Sequence, residues 1–406
     1  EIAQCLVGSE MCIRDSIDTE HYGYGELFNE INVHTGGIGT SLELYTDVTK
    51  VKEKEFRATF EIKGKALYPK LDVLFAMMRE ILMESKLGDE KRLKEILSML
   101  KTRLQTSFLS AGHTTAVLRS LSYTSPIARF RDITSGIGFY EVVKDLEENF
   151  EERKELLIEN LKKIAGRIFR KENLMLSYTS AQEGLAVLEK AVPQFADSLH
   201  TGEKESHGQC IIHCKKRNEG FRTSSKVQYV ARTGNFIDGG AEYTGALQIL
   251  KVILSYDYLW QNVRVKGGAY GCMSGFNRIG EGYLVSYRDP NLEKTMEIYE
   301  GVVDYLKNFD IDDRDMNKFI IGTISNLDRP MNPAAKGSRS LNLYMNRITE
   351  EMIRREREQI LDAQQEDIRG LATVLEAVLA AGELCVIGSE EKIEEAKEMF
   401  GEIRTL

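Results

Sequence analysis

Two stretches of this chain share one spacing of apolar residues. Leu71, Phe75, Met78, Ile81 and Leu82 fall at i, i+4, i+7, i+10 and i+11, and so do Leu292, Met296, Tyr299, Val302 and Val303. Each set predicts a helix with a single apolar stripe. Strand-like runs stand ahead of them, FRATFEI (56–62) and GYLVSYR (282–288), and ahead of those lie double glycines, HTGGIG (34–39) and VKGGAYG (265–271). The helix that follows repeats as well. DEKRLKEIL (89–97) and DDRDMNKFI (312–320) both open on acidic residues, which suit a helix N-terminus. Each copy should then close with a short strand, a serine cap and a helix, NLMLSYTSAQEGLAVLEKA (173–191) and ELCVIGSEEKIEEAKEMF (383–400), capped by Ser180 and Ser389.

Internal duplication on this scale predicts two homologous α+β domains, each a mixed, mostly antiparallel sheet layered with helices. We place them at residues 17–196 and 209–406, joined by the polar, Gly-containing linker 197–208. The copies differ at their fronts. The second has two strand-like runs, QCIIHCKK (209–216) and KVQYVARTGNF (226–236), then an apolar helix, TGALQILKVILSYDYLW (244–260). The first offers only residues 17–35, the tail of that helix, so about forty residues have no counterpart. A first unit short at its N-terminus is expected to expose a sheet edge and an apolar groove. Residues 5–16, CLVGSEMCIRDS, have neither period, and we read them as the translated end of a sequencing adapter. Residues 1–16 are therefore set aside as an artefactual segment.

Composition narrows the classes. No apolar run is long enough to span a bilayer. Without Glu1, Glu10, Asp15 and Arg14 the formal charge moves from -9 to -7. A mildly acidic surface without a basic block argues against nucleic acid or an anionic membrane as partner. Cys210, Cys214, Cys272 and Cys385 are scattered rather than arranged as a disulfide framework, which suits a bacterial cytoplasm.

Chemistry is most plausible in LWQNVRVKGGAYGCMSGF (259–276). Here a helix is expected to end near Lys266, with Gly267 and Gly268 forming a permissive turn and a strand starting at Ala269. Arg264 and Tyr270 bracket that turn, and a guanidinium and a phenol can converge on a carbonyl oxygen gaining negative charge. A solvated arginine and a half-buried sheet tyrosine would satisfy the same spacing. The order helix, glycines, strand is the reverse of a dinucleotide-binding turn. His200, His207, Cys210, His213 and Cys214 crowd together in HTGEKESHGQCIIHC without the spaced pairs of a structural zinc site, so no metal is expected there. The charged runs 145–163 and RREREQ (354–359) read as solvated helix faces.

NVRVKGGAYG and SYRDPNLEKT (286–295), set in a repeated two-layer unit, resemble the C-terminal half of the pitrilysin–insulinase family of zinc metallopeptidases, nearest its presequence-protease branch. The resemblance covers residues 17–406. It implies a LuxS-like, metallopeptidase-half fold, four homologous domains in two bowl-shaped halves, and a peptide substrate enclosed between them. It also implies a zinc held on an inverted His-x-x-Glu-His motif in the N-terminal half, with Arg264 and Tyr270 of this half polarising the scissile carbonyl. Their counterparts in the first copy are Val33 and Gly39. None of His21, His34, His113, His200, His207 or His213 lies in His-x-x-Glu-His, so this chain is expected to hold no zinc and to be inactive alone. A non-catalytic scaffold, or the peptide-binding subunit of a two-chain protease, would be the alternatives within the same fold.

Overall fold

The computed structural model describes residues 17–202 and 212–406. The adapter-like segment, the linker residues 203–208 and the candidate ligands His207 and Cys210 lie outside them. The chain is α+β. In its first part a helix, Tyr24–His34, leads into a two-stranded antiparallel sheet of β1 (Ile38–Tyr45) and β2 (Arg57–Gly64), and the helix Leu71–Met83 follows. Leu71, Phe75, Met78, Ile81 and Leu82 are all buried, as their spacing requires. Four of them share a core with Leu93, Ile96 and Leu97 of the helix Glu90–Ser110, whose N-terminus is capped by the Asp89 carboxylate accepting from the Arg92 N–H at 3.0 Å.

The second part is built on six strands: β3 (Glu219–Thr223), β4 (Tyr229–Asn235), β5 (Gly271–Phe276), β6 (Glu281–Tyr287), β7 (Glu383–Ser389) and β8 (Glu402–Thr405). Their order is β5-β6-β4-β7-β3-β8, with β3 parallel to β7 and β8 and the other pairs antiparallel. One face carries the largest core, made with the helices Ala246–Tyr256, Asp313–Leu327 and Ala372–Ala380. The opposite face meets helices of the first part, above all Gly112–Leu121, through Phe221, Tyr229, Ala231, Val285, Cys385 and Ile387. So this sheet is covered on both faces, and the cover of one face comes from elsewhere in the chain.

The second apolar stripe packs into that core too, with Leu292, Tyr299 and Val302 buried and Met296 and Val303 partly so, but its helix is broken in two, Glu293–Glu300 and Val302–Lys307. A Cβ at the intervening Gly301 would sit 2.6 Å from the Tyr258 hydroxyl, which donates to the Ile298 carbonyl at 2.8 Å. Asp312 caps the next helix as Asp89 does in the first part, accepting from the Asp315 N–H at 2.8 Å.

Three local expectations need correction. Residues 174–180 form no strand, and Ser180 is not a cap: its hydroxyl donates to the Ala181 carbonyl while the helix begins at Glu183. Ser389 does cap its helix, through the Lys392 N–H. Residues 212–217, expected to continue a strand from 209, carry no strand pairing, and β3 starts only at Glu219. Their alternation of apolar and polar residues was real, but Asn218 adopts a positive φ of 52° and turns the chain before pairing begins.

Candidate functional site

The apolar helix Ala246–Tyr256 is followed by a short π-helical stretch, Trp260–Val265. A π turn widens the helix by one residue and is often found where a side chain must be re-aimed. Here it carries Arg264 back over the Trp260 ring, with Cζ 4.0 Å from the ring centroid. The turn after it requires glycine twice. A Cβ on Gly267 would lie 2.4 Å from the Val263 carbonyl oxygen, and Gly268 has a φ of +82°. The Gly268 N–H donates to Arg264 O and the Ala269 N–H to Val263 O, which closes the helix. Tyr270 then emerges at the head of β5 with 67% of its surface exposed. The Arg264 guanidinium carbon lies 5.8 Å from the Tyr270 ring. Thus the two residues singled out from the sequence stand on one side of the turn, facing each other, and Arg264 is held between two aromatic rings.

The SYRDPN stretch braces this turn. Asn291 Nδ2 donates to the Gly267 carbonyl at 2.6 Å, and the Tyr270 N–H donates to the Arg288 carbonyl at 3.3 Å. Asp289 is fully buried and accepts from Thr295 Oγ1 at 2.7 Å and from the Asn291 N–H at 2.9 Å. Burial raises its carboxyl above the ordinary range, and those same bonds work against the rise. The backbone groups of Asp289 and Gln228 exchange hydrogen bonds, fixing the stretch to the lead-in of β4.

Sequence reasoning did not find the aromatic residues that extend the site. Tyr287 packs against Tyr270 with ring centroids 5.8 Å apart, and against His113 at 4.8 Å. Tyr229 lies 5.6 Å from Tyr287, and its hydroxyl donates to the Leu109 carbonyl at 2.5 Å. Burial pushes the Tyr229 phenol up and the His113 imidazole down, so His113 is neutral at pH 7. Gly112, beside His113, is where the first part of the chain touches this row: a Cβ there would meet the Tyr229 ring at 2.2 Å. The only sequence signal for the row was the lone tryptophan four residues before Arg264.

A metal does not fit these residues. Among the described residues no three His, Cys, Asp or Glu side chains converge to hold an ion. Nor does any helix among them have the length and apolarity to cross a membrane.

Comparison with known proteins follows the same division of the chain. Residues 218–390 match the family model for the PreP C-terminal domain, and residues 12–146 match the model for the peptidase M16-C associated domain. Protein HypA of Clostridium perfringens is 37% identical over 390 residues, 96% of this chain and 39% of that protein. Presequence protease 1 of Arabidopsis thaliana, chloroplastic/mitochondrial, is 29% identical over 380 residues, covering 93% of this chain and 35% of its own length. The chain therefore spans well under half the length of these relatives. Among solved structures, a protease from Helicobacter pylori superposes with a TM-score of 0.58 at 14% identity, over 95% of this chain and 88% of that one. Pitrilysin superposes with a TM-score of 0.56 at 11% identity, over 95% of this chain and 38% of that one. At such identities the structures show the shared fold.

Proposed function

With residues 218–390 in the PreP C-terminal domain family and residues 12–146 in the peptidase-associated family matched beside it, we propose that this chain is the metal-free half of a zinc metalloendopeptidase that degrades oligopeptides in a closed chamber. In this reading zinc and the glutamate that activates its water belong to a further half of the same polypeptide. This half closes over the peptide, holds it, and stabilises the carbonyl oxygen as it becomes anionic. Arg264 supplies a fixed positive charge with several N–H donors, and Tyr270 a single O–H donor. The observation that carries the proposal is their convergence: one cation and one exposed phenol, 5.8 Å from guanidinium carbon to ring centroid, across a turn that only two glycines permit.

Preorganisation explains why the pair is built this way. Stacking on Trp260 fixes the guanidinium without neutralising it, so its charge stays available to the substrate. The Asn291 bond to Gly267 and the Tyr270–Arg288 backbone bond fix the two ends of the turn. Little reorganisation is then needed when the carbonyl polarises.

The test is made in the longer protein that contains this chain. Arg264→Ala and Tyr270→Phe should each lower peptide turnover by about a hundredfold or more, the effect of removing one oxyanion donor, with zinc content unchanged. Val33→Ala, at the corresponding place in the first part, should leave turnover within about twofold. Undiminished turnover in both site variants would remove the role assigned to them. The 406-residue chain by itself should cleave no peptide at any zinc concentration.

A further inference from the structure

Beyond the carbonyl-polarising pair, we propose that Arg288 forms a second subsite, one that takes a carboxylate of the bound peptide a few residues from the scissile bond. This rests on the reading of Arg264 and Tyr270 as the carbonyl end of a peptide site and adds a preference to it.

Arg288 has a positive φ of 48°. Asn or Gly would adopt this left-handed conformation at lower cost, so the backbone alone gives no reason for an arginine. Its conformation is held from both sides, by the Tyr270 N–H on its carbonyl and by the Asp289–Gln228 backbone pair immediately after it. The result is a guanidinium set 5.6 Å from the Tyr287 ring and hydrogen-bonded to the Tyr229 hydroxyl. Neither Arg264 nor Arg288 is paired with a carboxylate among the described residues, although the chain as a whole carries a formal charge of -9. Most other arginines of the second part have acidic partners, for example Arg222 with Glu394, Arg232 with Glu300 and Arg357 with Asp328. Two unneutralised guanidiniums joined by a continuous row of rings therefore stand out from the surface around them.

The row gives the spacing. From Arg264 to Tyr270, from Tyr270 to Tyr287, and from Tyr287 to Arg288 the steps are 5.8, 5.8 and 5.6 Å. Taken end to end they set an upper limit on the separation of the two charges. At roughly 3.3–3.6 Å per extended residue, a peptide with its scissile carbonyl at Arg264 meets Arg288 no more than about five residues away. Tyrosine faces under the intervening residues give apolar contact without demanding particular side chains. A planar guanidinium takes a carboxylate by two parallel hydrogen bonds. That carboxylate could be an acidic side chain or the peptide's own C-terminus.

Trp260 provides the readout, because it is the only tryptophan and lies directly under Arg264. The intact 406-residue chain is titrated, following Trp260 fluorescence, with three peptides of the same tryptophan-free core. One is a neutral amide, one an amide with a single glutamate four residues from its centre, and one a neutral free acid ending at that position. The glutamate amide, the free acid, or both should bind about tenfold more tightly than the neutral amide, and the one that gains identifies the source of the carboxylate. Arg288→Ala should bring all three to the affinity of the neutral amide, and Arg288→Glu should favour a lysine-bearing peptide instead. Equal binding of the three to the unaltered chain, or an acidic advantage surviving Arg288→Ala, overturns the subsite. If Arg264→Ala weakens all three equally in that case, the carbonyl site stands without it. A failure of every peptide to perturb Trp260 overturns both.

Discussion

The two double-glycine turns of this protein share a frame and differ in what it carries. In each, a helix ends at a glycine pair whose second member has positive φ, +107° at Gly37 and +82° at Gly268, and a strand follows at once. The positions of Arg264 and Tyr270 are taken in the first part by Val33, 73% exposed at the end of its helix, and by Gly39 inside β1. The frame therefore follows from backbone needs that any copy must meet, namely ending a helix and starting a strand in two residues. Chemistry enters only where side chains of opposite ends of the turn are given something to do. The surroundings differ to match: the second turn is braced by Asn291 and floored by Trp260, whereas the first is tied by the Gly36 N–H to the Lys65 carbonyl at 2.6 Å.

The sheets behind the turns differ as well, and the largest expected effect tests that difference. β1 and β2 make a two-strand sheet, a unit that is marginal without packing, while the six-stranded sheet borrows the helix Gly112–Leu121 to cover its second face. Arg119 on that helix is fully buried and grips Glu219 of β3 through two bonds, at 2.5 and 2.8 Å, with Asp132 accepting a third at 2.7 Å. Burial would raise the Glu219 carboxyl, but its bonds from Arg119 prevail and hold it below the ordinary range. Arg119→Ala leaves two buried carboxylates short of their cation. Arg217 and Arg404 approach Glu219 only at 3.6 Å each. Such a loss costs about 3–5 kcal/mol, measurable by urea unfolding. A cost under about 1 kcal/mol would mean that the sheet does not depend on its borrowed cover.

A second carboxylate on the same covered face has no such partner, and its pH dependence runs the other way. Glu383 of β7 is 2% exposed, and burial pushes its carboxyl up to about 7 against the hydrogen bonds of Thr124 and Thr233 and the more distant charges of Lys216 and Arg232. Between the ordinary value of 4.5 and about 7 the folded protein keeps a proton that the unfolded chain has released. Stability therefore falls as pH rises through this window and is level above it. At about 1.4 kcal/mol per pH step the fall is about 3 kcal/mol. Glu383→Gln should remove it, so the variant gains on the unaltered protein by up to that amount between pH 5 and pH 8. Glu219, held low, loses its contribution only below pH 4.5, outside this window. Parallel unfolding curves for the two proteins at pH 5 and 8 would contradict the assignment.

Much of this was legible before any coordinates. The repeated stripes, the acidic caps at Asp89 and Asp312 and the glycine turns are local patterns, and local patterns survive folding because their physical causes lie within a few residues. Arg264 and Tyr270 were visible because six residues of sequence span the site. Tyr229, Tyr287 and His113 were not, since they converge from three separate segments, His113 from beyond the six-stranded sheet, and nothing in the spacing of His113 to Tyr287 announces a contact. The partnership of Arg119 with Glu219 was hidden for the same reason: they lie 100 residues apart. Residues 174–180 show the reverse failure, a strand-like run of sequence that finds no neighbour to pair with.

The smallest effect separates the copies at their closing helices. Ser389 ends β7 in extended backbone, with its hydroxyl accepting from the Lys392 N–H, so the first turn of Glu390–Glu395 is anchored to the sheet. Ser180 has the same neighbours in sequence terms, a run of apolar residues before it and a helix after, but no strand holds it. The helix Glu183–Asp197 starts three residues later from Gln182, already helical and offering no side-chain cap. A cap is a joint property of a hydroxyl and an extended backbone that aims it at the N–H groups of the first turn. Ser389→Ala should therefore cost about 1 kcal/mol in urea unfolding. Ser180→Ala, on an exposed residue whose hydroxyl reaches only its neighbour's carbonyl, should stay within about 0.5 kcal/mol. Equal costs at the two positions would mean that Ser180 caps after all and that the first copy closes as the second does. Unequal costs would locate the divergence of the copies in whether a strand stands behind the serine, a condition that the matching sequence patterns do not encode.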